Sequence, residues 1–389
     1  MSDSLDKLDE FAKLVLAYRP KKKRDNMQNK SLNRSLHAAK ATKQDEFYTQ
    51  LSDIDDELKH YTKYFKGKTV LCNCDDPKVS NFFHYFSHNF EKLQLKKLIA
   101  TCYKNCDADL FSKHTDERGI YLEYEGDKSG NRVPDPDEIG IHKLKGDGDF
   151  RSEECVKLLK QADVVVTNPP FSLFREYVEQ LVKYKKKFLI IGNTNALTYK
   201  DTFRLIMEDK LRTGYTNFNV GMFFAVPDDW EQFHHVDKDG RKIVRVATSC
   251  WFTNLDVAKH KESLPLYKEY TPEEFPKYDN YDAIEVSRYK DIPADYDGPM
   301  GVPITFLDKY NPNQFEIVGV TQSWFDGRIK TYPQQTQVGA DGHRSNVTKL
   351  NDGAALKSDS IPQNTTYYIV NGEYYVKVYA RILIRRKTP

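Results

Sequence analysis

The sequence has few cysteines, no long apolar run and almost no net charge, and each shortage removes a class of protein. Six cysteines in 389 residues cannot staple a disulfide scaffold. Neither Cys72/Cys74 nor Cys102/Cys106 has the C-x-x-C spacing of a zinc knuckle or redox pair, so we read buried free thiols in a reducing compartment. Apolar stretches such as residues 188–191 are far shorter than the roughly 20 residues that cross a bilayer. The N-terminus has no apolar leader segment followed by a small-residue cleavage site, which points to a cytoplasmic protein. The glycines form no phosphate loop: Gly146-Asp147-Gly148 lacks the further glycine and the Lys-Ser/Thr that a nucleoside triphosphate needs. His234 and His235 are adjacent rather than at ligand spacing, so no metal is expected. What is abundant is aromatic: 22 Phe and 25 Tyr argue against disorder, and the chain is long enough to bury a large core unaided.

The net charge of +2 conceals an uneven distribution. Residues 11–44 carry ten Lys or Arg against the single acid Asp25. Lys21, Lys22, Lys23 and Arg24 are consecutive, and Lys30 and Arg34 follow. A second cluster, Lys377, Arg381, Arg385, Arg386 and Lys387, closes the chain. Concentrated positive charge suits a phosphate backbone; a solubilising tail is the plainer reading of the same residues. Apolar residues at three- and four-residue steps predict a helix over 3–19, ended by Pro20. Residues 20–43 read as a flexible arm.

Strand and helix signals alternate from there. Helical patterns cover 51–65, 78–91, 153–160 and 174–184. Short apolar strands cover 69–74, 98–103, 163–167 and 187–192. Apolar strands between helices predict a mostly parallel sheet covered on both faces. This assigns 1–44 to a basic N-terminal arm and 45–260 to an α/β catalytic domain with a polar, hairpin-bearing insertion near 105–148. The remainder, 261–389, reads as a smaller β-containing segment, and its basic cluster makes it the expected contributor to nucleic-acid binding and target recognition. Strands are expected there at 315–320, 365–370 and 374–384, and the polar stretch 325–360 reads as turns.

Asn168-Pro169-Pro170-Phe171 follows the strand 163–167 directly. Ligand chemistry in open parallel sheets occurs at the carboxyl ends of strands. Two prolines cannot continue a central strand, so they force a rigid turn. Such a turn can aim the Asn168 amide oxygen and the Pro169 carbonyl at the two N–H bonds of one exocyclic amine. Phe171 then offers a ring on which a base stacks, an interaction worth roughly 1–3 kcal/mol. Acceptors on both hydrogens leave the nitrogen lone pair free to attack an electrophilic methyl group, with catalysis by orientation and electrostatics. The base has to leave the duplex to arrive there. The same acceptor geometry serves adenine N6, cytosine N4, an RNA adenine or a protein glutamine. A non-catalytic nucleic-acid binder with the same fold is the remaining alternative.

The chain resembles the EcoRI adenine methyltransferase family, DNA amino-methyltransferases that use S-adenosylmethionine, over roughly residues 38–320. The likeness is carried by Asp45-Glu46-Phe47-Tyr48-Thr49-Gln50, Cys72-Asn73-Cys74-Asp75-Asp76-Pro77, Gly146-Asp147-Gly148-Asp149-Phe150-Arg151, and residues 167–174 and 301–310. It implies a Rossmann-like methyltransferase fold and adenine-N6 methylation of double-stranded DNA, with GAATTC as the target. It also implies a catalytic loop at Asn168, Pro169, Pro170 and Phe171. Phe47, Tyr48 and Thr49 then correspond to the segment that closes over the methionine end of the cofactor, and Asp75, Asp76 and Pro77 to the loop where the cofactor lies. Asp149 and Phe150 correspond to the segment that contacts its adenine. We further expect a monomer, with a restriction endonuclease as functional counterpart. Two departures stand out. The loop after the first strand has no glycine, and Tyr103 and Lys104 occupy the neighbourhood where an acid usually meets the ribose. Asp75 and Asp76 either compensate or cap the following helix. Asn195, after the strand 187–192, lies at the same edge, where it either lines the pocket or belongs to a plain turn. With Arg212, Asn217, Asn219, Arg245 and Arg288 it is a candidate for contacting base edges.

Overall fold

The computed structural model describes residues 48–74, 80–101, 119–131, 134–135, 137–226, 228 and 230–387. The helix expected at 3–19 and the arm carrying Lys21, Lys22, Lys23, Arg24, Lys30 and Arg34 lie outside these residues. So do Phe47, Asp75, Asp76, Pro77, Tyr103 and Lys104.

The central sheet has eight strands: β1 (Thr69–Asn73), β2 (Lys97–Thr101), β3 (Ile120–Tyr124), β4 (Ile139–Lys143), β5 (Val164–Thr167), β6 (Lys187–Asn193), β7 (Arg212–Thr213) and β8 (Ser249–Thr253). Their order is β4-β3-β2-β1-β5-β6-β8-β7. β2, β1, β5 and β6 are mutually parallel. The flanking strands are antiparallel, so the sheet is mixed, with a parallel centre.

Alternation along the central strands explains why they read as solid apolar runs. Val70 and Cys72, Val164 and Val166, Leu189 and Ile191, and Trp251 point to one face. Leu71, Val165, Phe188 and Ile190, and Cys250 and Phe252 point to the other. Each fully buried Val, Leu, Ile or Phe contributes roughly 1.5–3 kcal/mol. The first face packs on α1 (Leu51–Leu58), α2 (Asn81–His88) and α3 (Phe90–Leu93) through Ile54, Leu58, Phe82, Phe86, Phe90 and Leu93.

The second face packs on α4 (Glu153–Gln161), α5 (Phe174–Lys183) and α6 (Lys200–Met207). α4 begins where Ser152 Oγ accepts the Cys155 amide at 3.2 Å. Glu153 and Glu154 occupy its first turn and Lys160 its last, each complementing the helix dipole. α5 buries Phe174, Tyr177, Val178 and Leu181, the i, i+3, i+4, i+7 stripe of an amphipathic helix.

Residues 44–389 form one compact unit. A four-stranded sheet ordered 284–285, 300–303, 381–386, 315–320 places Met300, Val302, Phe315, Ile317, Ile382 and Ile384 in the same core as α4 to α6. A five-stranded antiparallel sheet (344–347, 335–338, 367–370, 373–377, 355–358) has its own small core around Tyr332, Leu350, Tyr368 and Tyr375. The single strand expected at 374–384 is therefore two strands in two sheets. The chain leaves one sheet for the other at 378–380, where Tyr379 is 88% exposed.

Candidate active site

β1 is the switch point of the sheet, because the chain continues to β2 on one side and later returns to β5 on the other. The crevice at the carboxyl ends of two such strands is where open α/β sheets bind ligands. The ladder between β1 and β5 pairs only Val70 with Val164 and Leu71 with Val165. Beyond that register, side chains join the strands. The Thr167 hydroxyl donates to the Asn73 carbonyl, and the Tyr177 hydroxyl donates to Asn73 Oδ1. Asn73, Thr167 and Tyr177 are all buried. Burial holds the Tyr177 phenol well above its usual range, so it stays a proton donor.

The turn at 168–171 climbs out of the interior. Asn168 and Pro169 are buried, and Pro170 and Phe171 are half-buried. The Leu173 amide donates to the Pro170 carbonyl at 3.0 Å, winding a short 3-10 turn over Phe171–Leu173 that leads into α5. Gly192 on β6 gives this helix its place: a Cβ there would lie 2.3 Å from the Phe174 ring.

Asp149 and Phe150 are fastened to the same helix. Gln180 Nε2 donates to the Phe150 carbonyl at 3.0 Å, and Arg151 Nη1 reaches Glu176 at 2.8 Å. The Phe150 ring meets Tyr177 edge-on, with centroids 5.1 Å apart, and is buried there. Arg151 donates to both Asp149 oxygens, at 3.0 and 2.7 Å. Its guanidinium holds the Asp149 carboxyl below the usual range. The Arg151 backbone amide also donates to Oδ1, at 2.8 Å, so Asp149 is an ionised acceptor with a site to spare on Oδ2.

Tyr48 and Thr49 form a short strand paired with Ala225 and Phe224. Asn81 Nδ2, in the first turn of α2, donates to the Thr49 carbonyl at 2.7 Å, which pins this strand to the start of α2. The Thr49 hydroxyl is buried and has no hydrogen-bond partner among the described residues. Cys74, directly after β1, has φ of +76°. The backbone therefore takes a glycine-like conformation without a glycine, at a cost of order 1 kcal/mol or more.

Asn195 sits exposed at the end of β6. Its amide donates to Asn193 Oδ1 at 2.9 Å, and Asn193 Nδ2 holds Thr248 at 2.7 Å. Close by in sequence, Arg175 of α5 lies over the Tyr199 ring at 5.4 Å, and Tyr199 is 41% exposed. Local structure occupies most of the other base-reading candidates. Arg212 pairs with Asp209, and Arg245 donates to the Val220 carbonyl. Asn217 and Asn219 hold positive-φ turn positions. Arg288 remains exposed.

Sequence reasoning missed Asn73, Tyr177, Arg175 and Tyr199. For Tyr177 a signal existed, since a tyrosine on the buried stripe of a helix needs a partner for its hydroxyl. Two cavities of about 500 and 360 Å³, lined by Lys259 and by His260 respectively, contain none of the expected catalytic or cofactor residues, and the second includes the base-reading candidate Arg212. The smaller also includes Asn254 and Leu255, just past the end of antiparallel β8, and so opens at the opposite edge of the sheet.

Residues 35–387 match the family described as "Adenine-specific methyltransferase EcoRI". The chain is 50% identical over 297 residues to the Type II methyltransferase M.EcoRI of Escherichia coli, covering 75% of this chain and 90% of that protein. It is 41% identical over 291 residues to the Type II methyltransferase M.MgeORF184P of Mycoplasma genitalium, covering 73% and 85%. It is 40% identical over 290 residues to the Type II methyltransferase M.MpnI of Mycoplasma pneumoniae, covering 73% and 84%. No solved structure matches.

Proposed function

The chain belongs to the EcoRI family of adenine-specific methyltransferases, and from that premise we propose that the crevice between β1 and β5 is its active centre. The protein is a site-specific DNA adenine-N6 methyltransferase that uses S-adenosylmethionine. The observation that carries the assignment of the centre is the position of Asn168. It stands at the carboxyl end of β5, beside a strand end that two side-chain hydrogen bonds tie to β5 and α5.

S-adenosylmethionine supplies an electrophilic methyl group on its sulfonium. The residues present fit it: a buried Thr49 hydroxyl with no hydrogen-bond partner among the described residues and an Asp149 carboxylate kept ionised by Arg151. Tyr48, Thr49, Asp149 and Phe150 would hold it, together with Phe47, Asp75, Asp76 and Pro77. The Phe150 ring is held by its packing on Tyr177. On the other side of the crevice Asn168 Oδ1 and the Pro169 carbonyl accept the two N–H bonds of the extruded adenine, and Phe171 stacks on its ring. The acceptors favour a pyramidal nitrogen and stabilise the positive charge it gains until one proton leaves. Pro170 keeps the turn rigid, so little reorganisation is needed during transfer.

Lys21, Lys22, Lys23, Arg24, Lys30 and Arg34 would contact phosphates and add affinity with little sequence preference. Asn195 lies at the edge where the duplex approaches. We take GAATTC, the target implied by the resemblance, as the first substrate to test. In this reading the protein works as a cytoplasmic monomer beside a restriction endonuclease of the same site. Among the described residues no helix is long and apolar enough to cross a membrane.

The deciding experiment is methylation of a random-sequence duplex library with labelled S-adenosylmethionine, followed by base-level mapping. Label on adenine N6 at one short motif is expected. Label on cytosine, or none on any duplex, refutes the reading.

A further inference from the structure

Methyl transfer places a demand on geometry that neither ligand-binding segment meets alone. The donor loop follows β1 and the base-gripping turn follows β5. A misplacement of about 1 Å between reacting atoms can cost on the order of 100-fold in rate. Yet the backbone ladder between these strands stops at Leu71 and Val165, two residues short of either end. From there to the crevice the separation is set by Asn73, which accepts from Thr167 through its carbonyl and from Tyr177 through its side chain.

Resting on the reading above, we propose that Tyr177 is a positioning residue for methyl transfer: through Asn73 it fixes the carboxyl end of β1 against the turn after β5. Three features favour this over a purely structural role. Asn73 is the last residue of β1, immediately before Cys74 with its positive φ, so the bond acts at the root of the donor loop. Tyr177 is on the helix that the base-gripping turn leads into, so one side chain spans both segments. Its ring also backs Phe150, whose carbonyl Gln180 of the same helix holds. α5 thereby gathers the end of β1, the adenine-contacting segment and the catalytic turn onto one rigid element, as a preorganised site requires.

The test compares Tyr177→Phe, which removes one hydroxyl, with Tyr61→Phe. Tyr61 is equally buried and donates to Glu57 at 2.8 Å, and neither residue belongs to the crevice or to the DNA-binding candidates. Single-turnover transfer at saturating S-adenosylmethionine and cognate duplex should slow by about tenfold or more in Tyr177→Phe. The dissociation constants of both ligands should move by less than about threefold, since the hydroxyl removed touches neither ligand. Tyr61→Phe should lose comparable thermal stability and transfer at the wild-type rate. A wild-type rate in Tyr177→Phe, or a slowing fully explained by weaker binding, overturns the proposal. If Tyr177→Phe does not fold, the second strut decides: Thr167→Val should be slow and Thr167→Ser restored, and equal rates in the two overturn it. A wild-type chain that transfers to no duplex overturns the reading of the site instead.

Discussion

Asn168 is the side chain whose removal should separate chemistry from binding. In Asn168→Ala one acceptor of the target amine disappears while every donor-side residue stays. Turnover should fall by about 100-fold or more while calorimetry still shows S-adenosylmethionine binding. An unchanged turnover refutes its role. His260 tests a different kind of residue. It is buried, and its Nε2 faces the Thr213 carbonyl at 3.0 Å. Burial, with Arg212 and Lys259 nearby, pushes it down to about 4 from 6.5. The folded protein therefore binds fewer protons than the unfolded chain between those values. Its contribution is whole above pH 6.5 and falls as the pH drops toward 4, by on the order of 3 kcal/mol. His260→Gln should flatten the stability-versus-pH curve in that window, read from denaturant midpoints; parallel curves contradict it. At this scale the sequence was half legible. Asn168 announces itself by what precedes and follows it. The Tyr177–Asn73 bond spans 104 residues, and no local pattern encodes it.

Elements were more legible where their own side chains decide them. The runs at 69–73, 164–167 and 187–193 are apolar on both faces, and the stripe of α5 is complete within ten residues. The strands at 335–338 and 344–347 escaped notice because Gln-Thr-Gln-Val and Arg-Ser-Asn-Val carry little β signal. The first pairs with a strand some 30 residues away, Ile369 lying opposite Thr336, and the second pairs with the first, so pairing supplies what propensity lacks. Gly192 shows two elements meeting at one atom. Gly192→Ala drives a methyl into the Phe174 ring, so helix and strand must part. Overpacking of this kind costs about 1–3 kcal/mol, measurable by urea denaturation. Because Phe174 begins α5 directly behind the catalytic turn, methyl transfer should slow as well. Unaltered stability would show that helix and strand yield more easily than their geometry suggests.

For the whole molecule, charge placement yields the clearest expectation. Removing residues 1–37 should weaken duplex binding more at low than at high salt, and flatten the slope of log affinity against log salt by nearly one for each phosphate that the arm neutralises. An identical slope refutes phosphate binding by the arm. The strand at 381–386 has a different bearing. It lies between 300–303 and 315–320, and its Ile382 and Ile384 help close the core behind α5. During synthesis this sheet waits for residues 381–386, which leave the ribosome well after its other three strands, although chains begin folding from the N-terminus. A messenger cut short before codon 381 yields a polypeptide missing the middle of that layer, and such a copy lacks the backing behind α5.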